Sequence, residues 1–204
     1  MTRDKRVGAI ILAGGRSERL GRAKQMLPWN GRTLVEAVVE EVCRAERLAE
    51  VLLVLRRDVA EALGKRAGER LGCARIVFPD ETGEGCAASY RSGLAALEES
   101  ELDAVVILLA DQPGVRVETI ERVIAGWESS GAAIAVVRYR DREGHPLVFD
   151  RSLFTELRQL RGEKAAWKLV DRYREGVCVV EIEESMPGDI DTWEDYEASR
   201  RRGA

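Results

Sequence analysis

Short apolar runs alternate along this chain with longer stretches whose apolar residues recur at helical spacing. Val7–Leu12 is a continuous apolar run of the kind a buried strand needs, and Gly14 and Gly15 end it soon after. Thr33–Ala45 then carries Leu34, Ala37, Val38, Glu41 and Val42 at helical spacing. Val51–Leu55, Arg75–Phe78, Ala104–Leu109, Ala132–Val137 and Val177–Ile182 read as further strands, and His145–Phe149 as an extended segment. Ala87–Glu99, Val117–Trp127, Asp150–Leu160, Glu163–Tyr173 and Thr192–Arg201 read as helices. Asp58 is placed as an N-cap of another helix, and Thr192 as the cap of the last.

Strand–helix alternation of this kind predicts an α/β protein with a mostly parallel twisted sheet and helices on both faces, a three-layer αβα arrangement. The runs at Val7, Val51 and Ala104 are apolar at successive positions, as strands buried on both faces are. Residues 1–204 show no repeat and no linker, so a single domain is expected. Ligands of such sheets sit at the carboxyl ends of the strands. Two features fall there: the glycine-rich run after the first strand, and Asp111-Gln112-Pro113 after the strand at Ala104.

Composition narrows the ligand. A net charge of −4 is the wrong sign for a nucleic-acid surface. No apolar run approaches the ~20 residues of a membrane helix, and no secretory leader is evident, so a cytoplasmic protein is expected. One histidine and four scattered cysteines without a Cys-x-x-Cys pair exclude a structural zinc site. For a cytoplasmic chain they also argue against a disulfide framework. Basic residues are concentrated locally, at Arg16, Arg19, Arg22 and Lys24 and again at Arg138, Arg140 and Arg142, which suits small anionic ligands.

The first of these clusters is the informative one. Gly14, Gly15 and Gly21 follow a strand directly, and glycines let backbone N–H groups approach phosphate oxygens closely. Arg19 and Lys24 could then neutralise a triphosphate. The run lacks both the Gly-x-Gly-x-x-Gly spacing of dinucleotide folds and the Gly-Lys-Ser/Thr of a Walker A loop.

Read through to Lys24, the loop resembles that of the molybdenum-cofactor nucleotidyltransferases, the cytidylyl- and guanylyltransferases of molybdopterin. It matches their pattern at Leu12, Ala13, Gly14, Gly15, Ser17, Arg19, Leu20, Gly21 and Lys24. Further along, Gly85–Leu94 is similar to their base- and ribose-side segment, Asp111-Gln112-Pro113 to a first metal motif, Gly144–Phe149 to an acceptor-facing segment, and Asp189–Asp195 to a second metal motif.

The resemblance implies a nucleotide-diphospho-sugar transferase (GT-A-like, Rossmann-like) fold. It also implies transfer of CMP or GMP from a nucleoside triphosphate to molybdopterin, with release of pyrophosphate. In that frame Leu12, Ala13, Gly14, Gly15, Ser17, Arg19 and Lys24 hold the nucleotide, and Ser89 and Gly93 lie near base and ribose. Arg19, Lys24 and Asp111 act in catalysis, and His145 meets the acceptor. Mg²⁺ is bound by Asp111 and one of Asp189 and Asp191, with Asp189 preferred, because Mg²⁺ takes hard oxygen ligands and few protein carboxylates.

Two departures keep alternatives open. Arg161–Trp167 stands where cytidylyltransferases carry Gly-Asp-x-Gly-Ala-Arg, which leaves a different phosphorylated acceptor, such as a sugar or alcohol phosphate, possible. A carrier delivering the cofactor to a molybdoenzyme or its maturation factor without turnover is the non-enzymatic alternative. The Gly14-Gly15 spelling goes with guanine, whereas the histidine and Asp-Ile-Asp-Thr segments go with the cytidylyl branch, so CTP and GTP both stay open.

Overall fold

The computed structural model describes residues 4–80, 86–97, 100–162 and 164–202. Gly85, Glu98, Glu99 and Glu163 of the segments singled out above lie outside them. In chain order the elements are β1 (Val7–Ala13), β2 (Pro28–Trp29), β3 (Arg32–Thr33), α1 (Leu34–Val42), β4 (Leu48–Leu55), α2 (Arg57–Ala62), β5 (Arg70–Leu71), β6 (Ala74–Val77) and α3 (Cys86–Ala96). They continue with β7 (Ala104–Leu109), α4 (Val117–Ser130), β8 (Ile134–Arg138), β9 (Glu143–Asp150), α5 (Phe154–Gln159), α6 (Ala165–Arg172), β10 (Val177–Glu181) and α7 (Trp193–Arg202).

Eight strands form one sheet in the order β10-β8-β9-β7-β1-β4-β6-β5. The expected parallel centre is present: Ile11 of β1 sits opposite Leu53 of β4 on one side and Leu108 of β7 on the other. Strand alternation sends Ile11 and Ala13 to one face, where Val35 and Val38 of α1 and Ile120 and Val123 of α4 cover them. Ile10 and Leu12 go to the other face, under Tyr90 and Leu94 of α3, Leu157 of α5 and Leu169 of α6. Helices thus cover both faces, which is why the central strands are apolar throughout.

The extended segment at His145 is antiparallel β9, wedged between β7 and β8. Antiparallel β5 and the β2–β3 pair were not legible in the hydrophobic pattern, since two-residue strands have no period to read. Asp58 is not an N-cap. Arg56 holds that position, and Asp58 lies in the first turn of α2, paired to the Arg56 guanidinium. Thr192 does cap α7: its hydroxyl accepts from the Asp195 N–H at 3.2 Å and donates to the Asp195 carboxylate at 2.7 Å.

The cysteines correct the expectation of no disulfide. Cys43, just past α1, and Cys73, in the turn between β5 and β6, form a cystine. Their sequence separation of 30 hides the fact that α1 and the β5–β6 hairpin meet side by side. Among the described residues no helix is long and apolar enough to cross a membrane.

Candidate active site

Because β1, β4 and β7 run parallel, the loops at their carboxyl ends open at the same edge of the sheet. They surround a cleft of about 1130 Å³, roomy enough for a nucleotide-sized ligand.

The loop after β1 is not held by a regular helix. Ser17 and Gly21 adopt left-handed conformations (φ 57° and 67°) on either side of a short 3-10 turn at Glu18–Leu20. The strut that shapes the loop is Gln25, a residue with no role in the sequence reading. Its buried amide donates to the carbonyls of Ala13 at 2.8 Å and Gly15 at 3.1 Å. The Lys24 backbone N–H donates to Ser17 Oγ at 3.0 Å, closing the turn from the other side. Arg56, at the end of β4, adds a bond to the Gly15 carbonyl at 3.3 Å. Arg56, Arg57 and Asp58 line the cleft, as do Phe78 and Pro79 after β6. Apart from Asp58, singled out as a helix cap, their only sequence signal was position at the end of a strand.

The charged centre lies where this loop meets the ends of β7 and the 189–191 segment. Lys24 Nζ donates to Asp111 Oδ2 at 2.5 Å and to Asp191 Oδ1 at 2.9 Å. Arg19 donates to the other Asp191 oxygen at 2.7 Å. The Ile190 N–H donates to the Asp111 carbonyl at 3.0 Å, pinning the second motif beside the first. Burial alone would lower the pKa of Lys24, but Asp111 and Asp191 outweigh it and hold the ammonium charged. Burial pushes the Asp111 carboxyl up; Lys24 opposes this, and the charges of Asp189 and Asp191 add to it. Asp191 is held below the usual carboxylate range: Lys24 and Arg19 together overcome its partial burial.

One Asp111 oxygen (Oδ1) is buried without a hydrogen-bond partner, and Asp111 and Asp191 offer hard oxygens of the kind Mg²⁺ takes from one or two protein carboxylates, although no cluster of three such ligands is assembled among the described residues. Asp189 stands apart from Lys24: its Oδ1 accepts from Gln112 Nε2 at 2.6 Å and it does not line the cleft. The carboxylate that meets Lys24 and Arg19 is therefore Asp191, while Asp189 is paired to Gln112.

Leu12, Ala13, Gly14, Gly15, Ser17, Arg19, Lys24 and Ser89 all line the cleft. Gly93 does not. It sits on α3 where a Cβ would lie 2.8 Å from Ile10 Cγ2, so its role here is close helix–strand packing rather than nucleotide contact. His145 is not brought to the cleft either. It is 7% exposed, and its Nε2 is buried without a partner. Its ring meets the edge of Trp167 with centroids 6.0 Å apart. Desolvation lowers its pKa to about 4, so the imidazole is neutral at pH 7.

Comparison with known proteins fits this geometry. A model of the MobA-like NTP transferase domain matches residues 9–177. The chain is 35% identical over 153 residues to the nicotine blue oxidoreductase of Paenarthrobacter nicotinovorans, covering 72% of each chain. It is 27% identical over 180 residues to a probable molybdenum cofactor guanylyltransferase of Pyrococcus horikoshii, covering 86% of each. Among solved structures, Rv0371c of Mycobacterium tuberculosis superposes with a TM-score of 0.85 at 34% identity, covering 98% of this chain and 100% of that one. The manganese complex of the same protein superposes at 0.82.

Proposed function

Since the chain belongs to the MobA-like NTP transferase family and is a nucleotidyltransferase, we propose that it moves the CMP or GMP part of CTP or GTP onto a phosphate oxygen of molybdopterin, in the cytoplasm and with Mg²⁺. The observation that carries this reading is the meeting of Lys24, Arg19, Asp111 and Asp191 at the carboxyl end of β1 and β7. An acceptor phosphate oxygen attacks the α-phosphorus in line, the bond to the β-phosphate oxygen breaks, and pyrophosphate leaves. Two anions must approach, so charge neutralisation and positioning carry the rate.

Backbone N–H groups of the Gly14–Ser17 run and the Arg19 and Lys24 side chains take the triphosphate. Ser89, which lines the same cleft, would meet the nucleoside. Mg²⁺, held by Asp111 with Asp191 or Asp189, would supply charge neutralisation at the reacting phosphates. No general base is needed, because a phosphate acceptor already presents an ionised oxygen. Contact of the acceptor with His145 belongs to the same proposal and requires the packing over that buried side chain to open.

The test measures pyrophosphate release with CTP and with GTP, each with molybdopterin, with a sugar or alcohol phosphate, and with no acceptor. Release that needs molybdopterin supports the reading; release with another acceptor moves the substrate; no release under any condition sinks it. Asp111→Ala is expected to cut Mg²⁺-dependent turnover by about 10³-fold with an unchanged circular dichroism spectrum. Near-normal turnover would remove Asp111 from the site.

A further inference from the structure

We infer that Lys24 is a displaceable counter-ion, which keeps the Asp111–Asp191 pair closed to a divalent cation until a nucleotide draws its ammonium away. The inference rests on the proposed function and adds an order of events to it.

Lys24 belongs to the phosphate loop by its backbone, which is tied to Ser17 at 3.0 Å, with Gln25 beside it tied to Ala13 and Gly15. Its side chain instead reaches across to the aspartates and is only 12% exposed. The ammonium is the cation held between those carboxylates, at 2.5 Å from one and 2.9 Å from the other. It satisfies them incompletely: Asp111 Oδ1 stays buried without a partner. A permanent structural ion pair is stabilising only when its remaining lone pairs are also satisfied, and here one is not.

Charge decides what happens next. A divalent ion entering alone would have to sit beside the Lys24 ammonium or eject it from its two carboxylate partners without bringing it another anion. A triphosphate in the loop supplies that anion, and the flexible four-carbon stem of lysine lets the ammonium follow it while the backbone stays fixed. Freed of the ammonium, Asp111 and Asp191 accept the metal. Metal and nucleotide therefore strengthen each other, and by linkage the factor is the same in both directions. Arginine at this position would keep the charge but is a planar fork, less able to leave a compact carboxylate pair for a phosphate.

Mn²⁺ binding followed by electron paramagnetic resonance tests this on the nucleotide-free protein. Wild type is expected to bind Mn²⁺ weakly. Lys24→Met should bind it at least about tenfold tighter, both Asp111 oxygens and the Asp191 oxygen not held by Arg19 now being open to the ion. The gain should vanish in Lys24→Met combined with Asp111→Asn, and Lys24→Arg should stay weak. Lys24→Gln serves if the methionine variant does not fold. A wild-type measurement needs no variant: a non-hydrolysable CTP or GTP analogue should bind about tenfold tighter with Mn²⁺ than without it. Asp111-dependent Mn²⁺ binding by free wild type as tight as by Lys24→Met overturns the inference and leaves the proposed function standing. Failure of every form to bind nucleotide with or without metal overturns both.

Discussion

The two halves of the sheet are built differently. On the β4–β1–β7 side the strand ends carry charge, and the loops are held by specific devices: the Gln25 strut, the Lys24–Asp111–Asp191 bridge, the Thr33–Glu36 capping box at the start of α1 and the Cys43–Cys73 cystine beyond its end. On the β9–β8–β10 side, which does not line the cleft, Leu147 and Phe149 pack under Leu157, Leu169 and Val170 with the motif histidine, and Arg138 and Arg174 make exposed ion pairs with Glu143 and Glu181. Loops that must present charge to a ligand cannot bury apolar surface of their own, so they need tethers. The other half draws chiefly on burial, at roughly 25 cal/mol per Å² of apolar area, its exposed ion pairs adding little.

The largest stability effect that would probe this contrast is loss of the cystine. Closing a loop across the 30-residue separation is worth about 3–4 kcal/mol. Urea unfolding of Cys43→Ser, or of wild type in reductant, should show a loss of that size. In a reducing cytoplasm the bond would be open, and the tethered half would then depend on its other devices. An unchanged midpoint would show that this tether contributes nothing.

Next comes His145, on the half away from the cleft. Its folded pKa of about 4 lies below its unfolded 6.5, so the unfolded chain takes up the proton first. Its contribution is complete above pH 6.5 and is lost as pH falls toward 4, amounting to about 2–3 kcal/mol by pH 4.5. No other histidine is present to blur the window. Subtracting the pH profile of His145→Phe removes the part due to Asp111 and the other carboxylates. Superimposable profiles would mean that the imidazole is not buried neutral.

Gly93→Ala separates packing from ligand contact on the site half. The added methyl would meet Ile10 at 2.8–2.9 Å, so stability should fall by about 1–3 kcal/mol with nucleotide affinity kept. Lost affinity at full stability would restore Gly93 to the nucleotide site. The smallest effect is at the α1 cap. Thr33→Ala should cost about 1 kcal/mol, read as a shift in the thermal midpoint, because the Glu36 N–H loses its acceptor. No shift would show that the box is redundant with the cystine at the other end of the helix.

Much of this protein was legible in its sequence. The buried strands, the glycine loop through Lys24, and Asp111 after a strand follow from local composition and period, which fix local conformation whatever the rest of the chain does. Tertiary packing decided the remainder. Asp191, not Asp189, faces Lys24, because the backbone of this segment, pinned by the Ile190 N–H to the Asp111 carbonyl, directs the Asp189 carboxylate to Gln112 instead. Gly93 meets Ile10, His145 lies against Trp167, and Cys43 meets Cys73, each across a chain separation that carries no period. Such meetings depend on sheet order, twist and helix docking, quantities set by the summed burial of the whole core rather than by neighbours in sequence.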